Sequence, residues 1–414
     1  MKAAVFHPGT QHSWQTATAL QQLGCLEWYA TSIFHDPGRW PYRLERYLPP
    51  PLARRVGAEF RRFRHDALDP ALVRTAGLFE WFERAAARMG AGGLARRLDR
   101  IGNRRFAGLL AREIASPHPF ALWGYDGSSL ETFRMGRTHG RHCILDRTIG
   151  DMRAYRAAME PLRQSHAQWF LPGAAQVDDA AIERADAEYE AADTILVGSD
   201  FAARTIRDHA AGGAEVAARL RVLPYCHDED LFGSLPAPAP MRRDEPLRFL
   251  FVGHLSPRKG IQHVLEAFSR IPPAAASLTL VGDMAIPRTA FAPHAHRVTW
   301  LPTVPRSAVP AIMAAHHVLL FPSHFEGAAI TVHEALASGM GVIQSRQACD
   351  AGTEQTGIIL EQVSSEAVHD AMLQAIDARD RVEGWRNAAQ ARARLFSFER
   401  YRDNIAALLR SLDG

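Results

Sequence analysis

The chain has 414 residues, 47% hydrophobic and 22% charged, which exceeds one ordinary core, leaves no room for a long disordered tail and fits two domains of roughly 200 residues each. The net charge of +3 is uneven, because residues 1–120 hold 18 Lys/Arg against 10 Asp/Glu and the remainder carries −5. No uninterrupted apolar run reaches the roughly 18 residues of a membrane-spanning helix, and Cys25, Cys143, Cys226 and Cys349 form no CxxC pair, which excludes a disulfide framework and reads as reduced thiols in the cytoplasm.

In chain order, MKAAVFHPGTQHSW reads as a first buried strand and not as a signal peptide. KAAVFH (2–7) is β-rich, Gly9 turns the chain, and WQTATALQQLG has helical periodicity. The basic excess lies in RRVGAEFRRFRH (54–65) and RRLDRIGNRRF (96–106), where arginines alternate with Phe, Leu and Val. These segments suit a solvated helix face, or a surface around Arg61, Arg62 and Arg64 that docks peripherally on an anionic membrane or acceptor. No nucleic-acid motif accompanies the charge, so nucleic acid is not expected as a partner.

FALWGYD (120–126), CILDR (143–147), TILVGSD (194–200) and LRVLPY (220–225) are further apolar strands, and helical runs such as DAAIERADAEYEAA separate them. SLPAPAPMRRDEP (234–246) has the composition of an interdomain linker. Beyond it the alternation restarts: strands LRFLFVG, SLTLVGD, RVTWLP, VLLFPS and GVIQS, with helices IQHVLEAFSRI, SAVPAIMAAH and AITVHEALAS between them. Two such blocks predict two Rossmann-like, doubly wound α/β domains with parallel sheets, over 1–233 and 247–395. Ligands of such sheets sit at the carboxyl ends of the strands, so two domains facing each other would enclose a cleft.

Four segments at strand ends carry chemistry. In FEGAAITVHE (325–334), Glu326 falls in the exit loop of a strand and a helix is expected to begin near Ala328 or Ala329. The unpaired amides of Ala328, Ala329 and Ile330 would then offer a phosphate seat, and Glu334, a turn or more into the helix, would accept two hydrogen bonds from a vicinal diol such as a ribose. Taken alone, the two glutamates equally suit an exposed loop and an exposed helix face. FVGHLSPRKGIQHVLEAF (251–268) is a strand, a turn at Gly253, and a basic loop opening a helix. Of 48 basic residues only Lys2 and Lys259 are lysines, so a lysine kept beside Arg258 suggests a compact charge for phosphate. In ADTILVGSDFAARTI (192–206), Ser199 or Asp200 would cap the next helix. In the N-terminal loops, Gly9 permits close backbone approach, and Asp146 and Arg147 end a strand.

The order FVGxLSPRKGI…LEAF, LVGD, FPSxFEG…HEALASG resembles the retaining glycosyltransferases of family 4, which have the GT-B architecture. The resemblance spans roughly residues 190–400 and is weak before residue 180, as expected where an acceptor is recognised. It implies that Lys259 neutralises a donor diphosphate, that Glu326 lies by the transferred sugar, and that Glu334 binds the ribose. The amides of Ala328, Ala329 and Ile330, after Gly327, would hold phosphate, with Gly9 facing it from the other domain. His254 stands where most members have a second diphosphate-binding arginine, a role that falls either to a protonated His254 or to Arg258. Ala329 replaces a customary glycine, and Asp146 a histidine beside the sugar. The resemblance also implies that no metal or other cofactor is needed, and that residues 396–414 form a helix crossing back to the first domain.

Nineteen histidines include the clusters His294/His296 and His316/His317, but no Asp, Glu or Cys stands at ligand spacing beside them, so no metal site is expected. Walker A, G-x-S-x-G and G-x-G-x-x-G motifs are all missing. The expected function is transfer of a sugar from a nucleoside diphosphate sugar to a hydroxyl of a glycan or lipid-linked acceptor, in cell-envelope or extracellular polysaccharide synthesis on the cytosolic face of the membrane. The alternatives are a sugar-nucleotide epimerase on the same fold and an inactive transferase-like scaffold; intact Glu326, Lys259 and Glu334 argue against the scaffold.

Overall fold

A computed structural model describes residues 1–9, 12–36, 42–49, 63, 65–75, 102, 105–233, 235–242, 244–302 and 304–413. Arg61, Arg62 and Arg64, and with them most of the basic segments 54–65 and 96–106, lie outside the described residues. The chain divides into two compact units: residues 1–146 with 184–196 and 402–414, and residues 147–183 with 197–401. No helix among the described residues is long and apolar enough to cross a membrane.

The first sheet has strands β1 (Ala3–Phe6), β2 (Leu26–Thr31), β3 (Val73–Thr75), β4 (Ala121–Tyr125), β5 (Cys143–Arg147), β6 (Thr194–Val197) and β7 (Leu220–Val222), in the order β3-β2-β1-β4-β5-β6-β7. β1 runs parallel to β2 and β4. The second sheet has β8 (Leu247–Val252), β9 (Ala276–Val281), β10 (Thr299–Leu301), β11 (Val318–Phe321), β12 (Gly341–Ser345) and β13 (Gly357–Leu360), in the order β10-β9-β8-β11-β12-β13. All five pairings of this sheet are parallel. Both orders reverse once, at β1/β4 and at β8/β11, as in a doubly wound fold, and ligands of such sheets bind outside that switch point.

The helices used below are α1 (Ser13–Gln22), α2 (Leu130–Thr138), α3 (Met152–Ser165), α4 (Asp200–His209), α5 (Ile261–Ser269), α6 (Ile330–Ala337), α7 (Ser365–Asp377), α8 (Arg379–Ala393) and α9 (Phe398–Leu412). The second sheet is apolar on both faces, so its strands read as unbroken hydrophobic runs. Phe249, Phe251, Val318 and Leu320 point into one core with α5 and α7. Leu250, Leu319 and Phe321 point into the other with α6 and α8. Each such large side chain contributes about 1.5–3 kcal/mol by burial.

Ser199 caps α4 by accepting from the Ala202 amide at 3.2 Å, and Asp151 caps α3 through the Arg153 amide at 2.7 Å. The proline-rich stretch 235–242 is not a free spacer. A proline run has no internal hydrogen bonds, and here α8 takes up its carbonyls: Arg386 donates to Ala239 O and Gln390 to Pro236 O, each at 3.0 Å. Within the first unit, the Met1 amine pairs with Asp413 near the end of α9 at 2.5 Å.

Candidate functional site

The chemistry gathers at the switch point of the second sheet. β8 ends at Val252, Gly253 takes φ of 140°, and a single turn, Pro257–Lys259, leads to Gly260 and α5. β11 ends at Phe321, and the loop from Pro322 to Ala329 leads to α6. The two loops touch backbone to backbone. Gly260 has φ of 76°, and a Cβ there would sit 2.1 Å from the Pro322 carbonyl oxygen, which no side chain tolerates. The His324 amide donates to Arg258 O at 2.8 Å.

This junction brings three predicted residues together. Lys259 Nζ and Arg258 Nη1 each lie 2.8 Å from Glu326 Oε1. Ser323 Oγ donates to the same oxygen at 2.8 Å. Arg258 also donates to Phe325 O at 2.6 Å, and the Lys259 ammonium sits 4.6 Å over the Phe321 ring, a cation–π contact. Burial alone would raise the Glu326 carboxyl, but Lys259 and Arg258 beside it hold it down at about 2. Burial pushes the Lys259 amine down, Glu326 pulls it back up, and Arg258 adds to the lowering. Two cations thus share one carboxylate, and the cluster carries a surplus positive charge.

The loop is clamped on its other side. Phe325 packs against Tyr155 and Phe201, with ring centroids 5.2 Å apart in each pair. A Cβ on Gly327 would come within 1.9 Å of Thr148 O, and Ser199 Oγ donates to Gly327 O at 2.5 Å.

Three expectations need correction. The helix starts at Ile330, with Ala329 as its N-cap residue. Two of the three amides expected to be unpaired are occupied: Ala329 N–H donates to Ala348 O at 3.0 Å and Ile330 N–H to Ala328 O at 3.1 Å. Only the Ala328 amide makes no hydrogen bond among the described residues, since the chain enters the helix through a tight turn at Ala328–Ile330. Ala329, which replaces a customary glycine, has an ordinary φ of −82°. Neither glutamate is an exposed residue: Glu326 and Glu334 are both buried.

Glu334 has a partner that the sequence did not reveal. Arg306 Nη2 donates to Glu334 Oε1 at 2.6 Å, and its Nε lies 3.7 Å from Asp228. Oε2 makes no hydrogen bond among the described residues. Burial raises the Glu334 carboxyl and Arg306 offsets this only in part; burial likewise raises Asp228 against the pull of Arg306. The signal available was position, since Arg306 follows β10 and so stands at the carboxyl end of a strand.

His254 is exposed, outside the three-charge cluster. Asp146 and Gly9 belong to the first unit. Asp146, at the end of β5, is buried and accepts from Trp123 Nε1 at 3.2 Å. The Gly9 amide donates to His7 Nδ1 at 3.0 Å.

Solved structures of the same architecture extend over the whole chain. The sucrose-phosphate synthase of Thermosynechococcus elongatus is 17% identical, with a TM-score of 0.62 over 100% of this chain and 99% of that one. The Anabaena protein HepE, in complex with UDP-glucose, is 13% identical, with a TM-score of 0.61 over 99% of this chain and 100% of that one. An Escherichia coli trehalose-6-phosphate protein bound to UDP-2-fluoro glucose is 12% identical, with a TM-score of 0.62 over 99% of each chain. At such identities the likeness shows the two-domain α/β GT-B fold. No curated protein matches the chain by sequence. Residues 246–378, which hold β8 to β13 and the whole charged junction, match the family described as Glycosyl transferases group 1. The chain is a glycosyltransferase. Lys259, Arg258, Glu326, Glu334 and Arg306 of this glycosyltransferase all fall inside the matched segment.

Proposed function

We propose that this glycosyltransferase is a retaining enzyme of family 4 that moves a sugar from a nucleoside diphosphate sugar to a hydroxyl of a glycan or lipid-linked glycan. The shared carboxylate carries the reading. Arg258 and Lys259 both lean on Glu326, so the junction lacks one negative charge, and a donor diphosphate supplies it in a buried place where charge–charge attraction is strong. The neighbours bound to UDP-glucose and UDP-2-fluoro glucose support a UDP-sugar as donor. Glu334 Oε2 then accepts from the ribose hydroxyls while Arg306 keeps Oε1.

In the reaction the acceptor oxygen bonds to the anomeric carbon on the face that the diphosphate leaves. The carbon–oxygen bond to phosphate breaks, and the acceptor proton passes to a phosphate oxygen of the leaving group. Lys259 and Arg258 stabilise the charge growing on the diphosphate, and Glu326 holds both in place beside the transferred sugar. This scheme asks nothing of a metal. The roles of Asp146, Gly9 and His254 rest on the family resemblance alone. Placement in polysaccharide synthesis rests on the family resemblance, and placement at the membrane on the basic segments 54–65 and 96–106.

A panel of sugar nucleotides tested by thermal shift identifies the donor, and nuclear magnetic resonance of the product reports its anomeric configuration. A product of retained configuration is expected. An inverted product refutes retention, and an epimerised nucleotide formed without acceptor favours the epimerase.

A further inference from the structure

A second polar cluster in the same unit plays no part in the proposed transfer. A cavity of about 460 Å³ opens between the end of α3, the His263/Glu266 side of α5 and the start of α7. Its lining includes His166, which follows α3, His263 and Glu266 on α5, His324 from the loop before Glu326, and Ser365. His263 and Glu266 are three residues apart on one helix, so they emerge on the same face.

We propose that His166, His263 and Glu266 form a binding site for a divalent transition-metal ion of the zinc class. Each offers a ligand atom, and these atoms all lie within 4.8 Å of one another. Bonds of about 2.0–2.2 Å to a tetrahedral ion place ligand atoms about 3.3–3.6 Å apart, so side-chain shifts of about an ångström close the set. Two imidazoles and one carboxylate form a ligand set that zinc uses, with a position left for water.

The surroundings fit this use. His263 is buried, and its Nε2 lies 3.0 Å from His324 Nε2, a contact that fixes the ring orientation from behind, as outer partners of metal-bound histidines do. On its other side, His263 Nδ1 is 3.0 Å from Ser365 Oγ, which in turn donates to Glu266 Oε2 at 2.5 Å. The Ser365 hydroxyl, accepting from His263 Nδ1 and donating to Glu266, thus links the histidine and the carboxylate in the ion-free protein, and an ion takes over that linkage. Because the His324 amide also donates to Arg258 O, the ion braces the loop that leads to Glu326.

The test uses the full chain stripped by chelator and dialysed against Zn²⁺, with Co²⁺ as a spectroscopic probe. One ion per chain is expected, with a visible Co²⁺ absorption of low-coordinate N/O ligation and a raised melting temperature. His166→Gln and Glu266→Gln, both at partly exposed side chains, should each weaken binding at least about tenfold while melting as the wild type does without ion. His296→Asn, at an exposed histidine elsewhere, should bind as the wild type does. No bound ion, or binding that survives both ligand substitutions, overturns the site.

Discussion

Glu326 and Glu334 stand eight positions apart, both buried, yet their surroundings push them in opposite directions. Glu326 has two cations on a single oxygen, and its carboxyl is held at about 2. Glu334 has one arginine, itself divided between two carboxylates and half open to solvent, and its carboxyl is raised. Burial is common to both, so the number of cations facing each decides the outcome. A carboxylate outnumbered by cations organises a site for further negative charge. One that holds its arginine only in part keeps an oxygen for neutral hydroxyls.

Removing a cation from the first glutamate should have the largest effect. Lys259→Ala is expected to lower kcat of sugar transfer by about 10²–10³, the usual loss of one electrostatic contact to a developing charge. Steady-state rates with saturating donor check it, and a rate within threefold of wild type rules out Lys259 as the diphosphate contact. Glu326→Gln breaks the cluster from the other side, leaving two buried cations without a counter-charge. It should destabilise the fold by about 3–5 kcal/mol in urea unfolding.

The pH responses sharpen the contrast. The folded pKa of Glu326 is depressed, so its contribution to stability is present above its ordinary value and is lost as pH falls from 4.5 toward about 2. The folded pKa of Glu334 is raised, so its contribution is present below 4.5 and is lost as pH rises through the raised value. Stability measured against pH should therefore lose its acid-side decline in Glu326→Gln and its decline above 4.5 in Glu334→Gln. Identical profiles for the two variants refute the opposed environments.

Smaller effects follow at Glu334 and at the second cation. Glu334→Ala should weaken donor binding by about 1–3 kcal/mol, the cost of leaving buried hydroxyls unpaired, and unchanged calorimetric affinity removes the ribose assignment. Arg258→Ala should weaken donor binding about tenfold or more, whereas His254→Ala should stay within about twofold, since His254 is exposed and Arg258 faces the carboxylate. A wild-type donor affinity that climbs at mildly acid pH and is lost in His254→Ala reverses that ranking.

The sequence displayed the second sheet well because a strand buried on both faces must be apolar throughout. GVIQS matches β12 residue for residue, and in the first sheet CILDR matches β5. β2, β3 and β13 escaped notice: VRT and GIIL are too short to show a period, and LEWYAT mixes polar and apolar positions. Lys259 stood out because the chain otherwise uses arginine, and Glu326 because its loop follows an evident strand. Arg306 and Asp228 did not, since their meeting with Glu334 depends on contacts across 28 residues and more that no local pattern encodes. His263 and Glu266 were hidden for another reason. They are not adjacent in the sequence, and only a helix brings residues three apart onto one face.

The contact of Gly260 with the Pro322 carbonyl has a consequence for how the site changes over generations. Neither backbone can move toward the other, and a displacement of one loop is handed directly to its neighbour. Positions 254–259 and 322–327 therefore form one mutational neighbourhood in which substitutions are non-additive. With the donor held as proposed, libraries that vary only one of the two loops explore half of this neighbourhood, and altered donor preference is expected to emerge from paired changes across this seam with Gly260 left untouched.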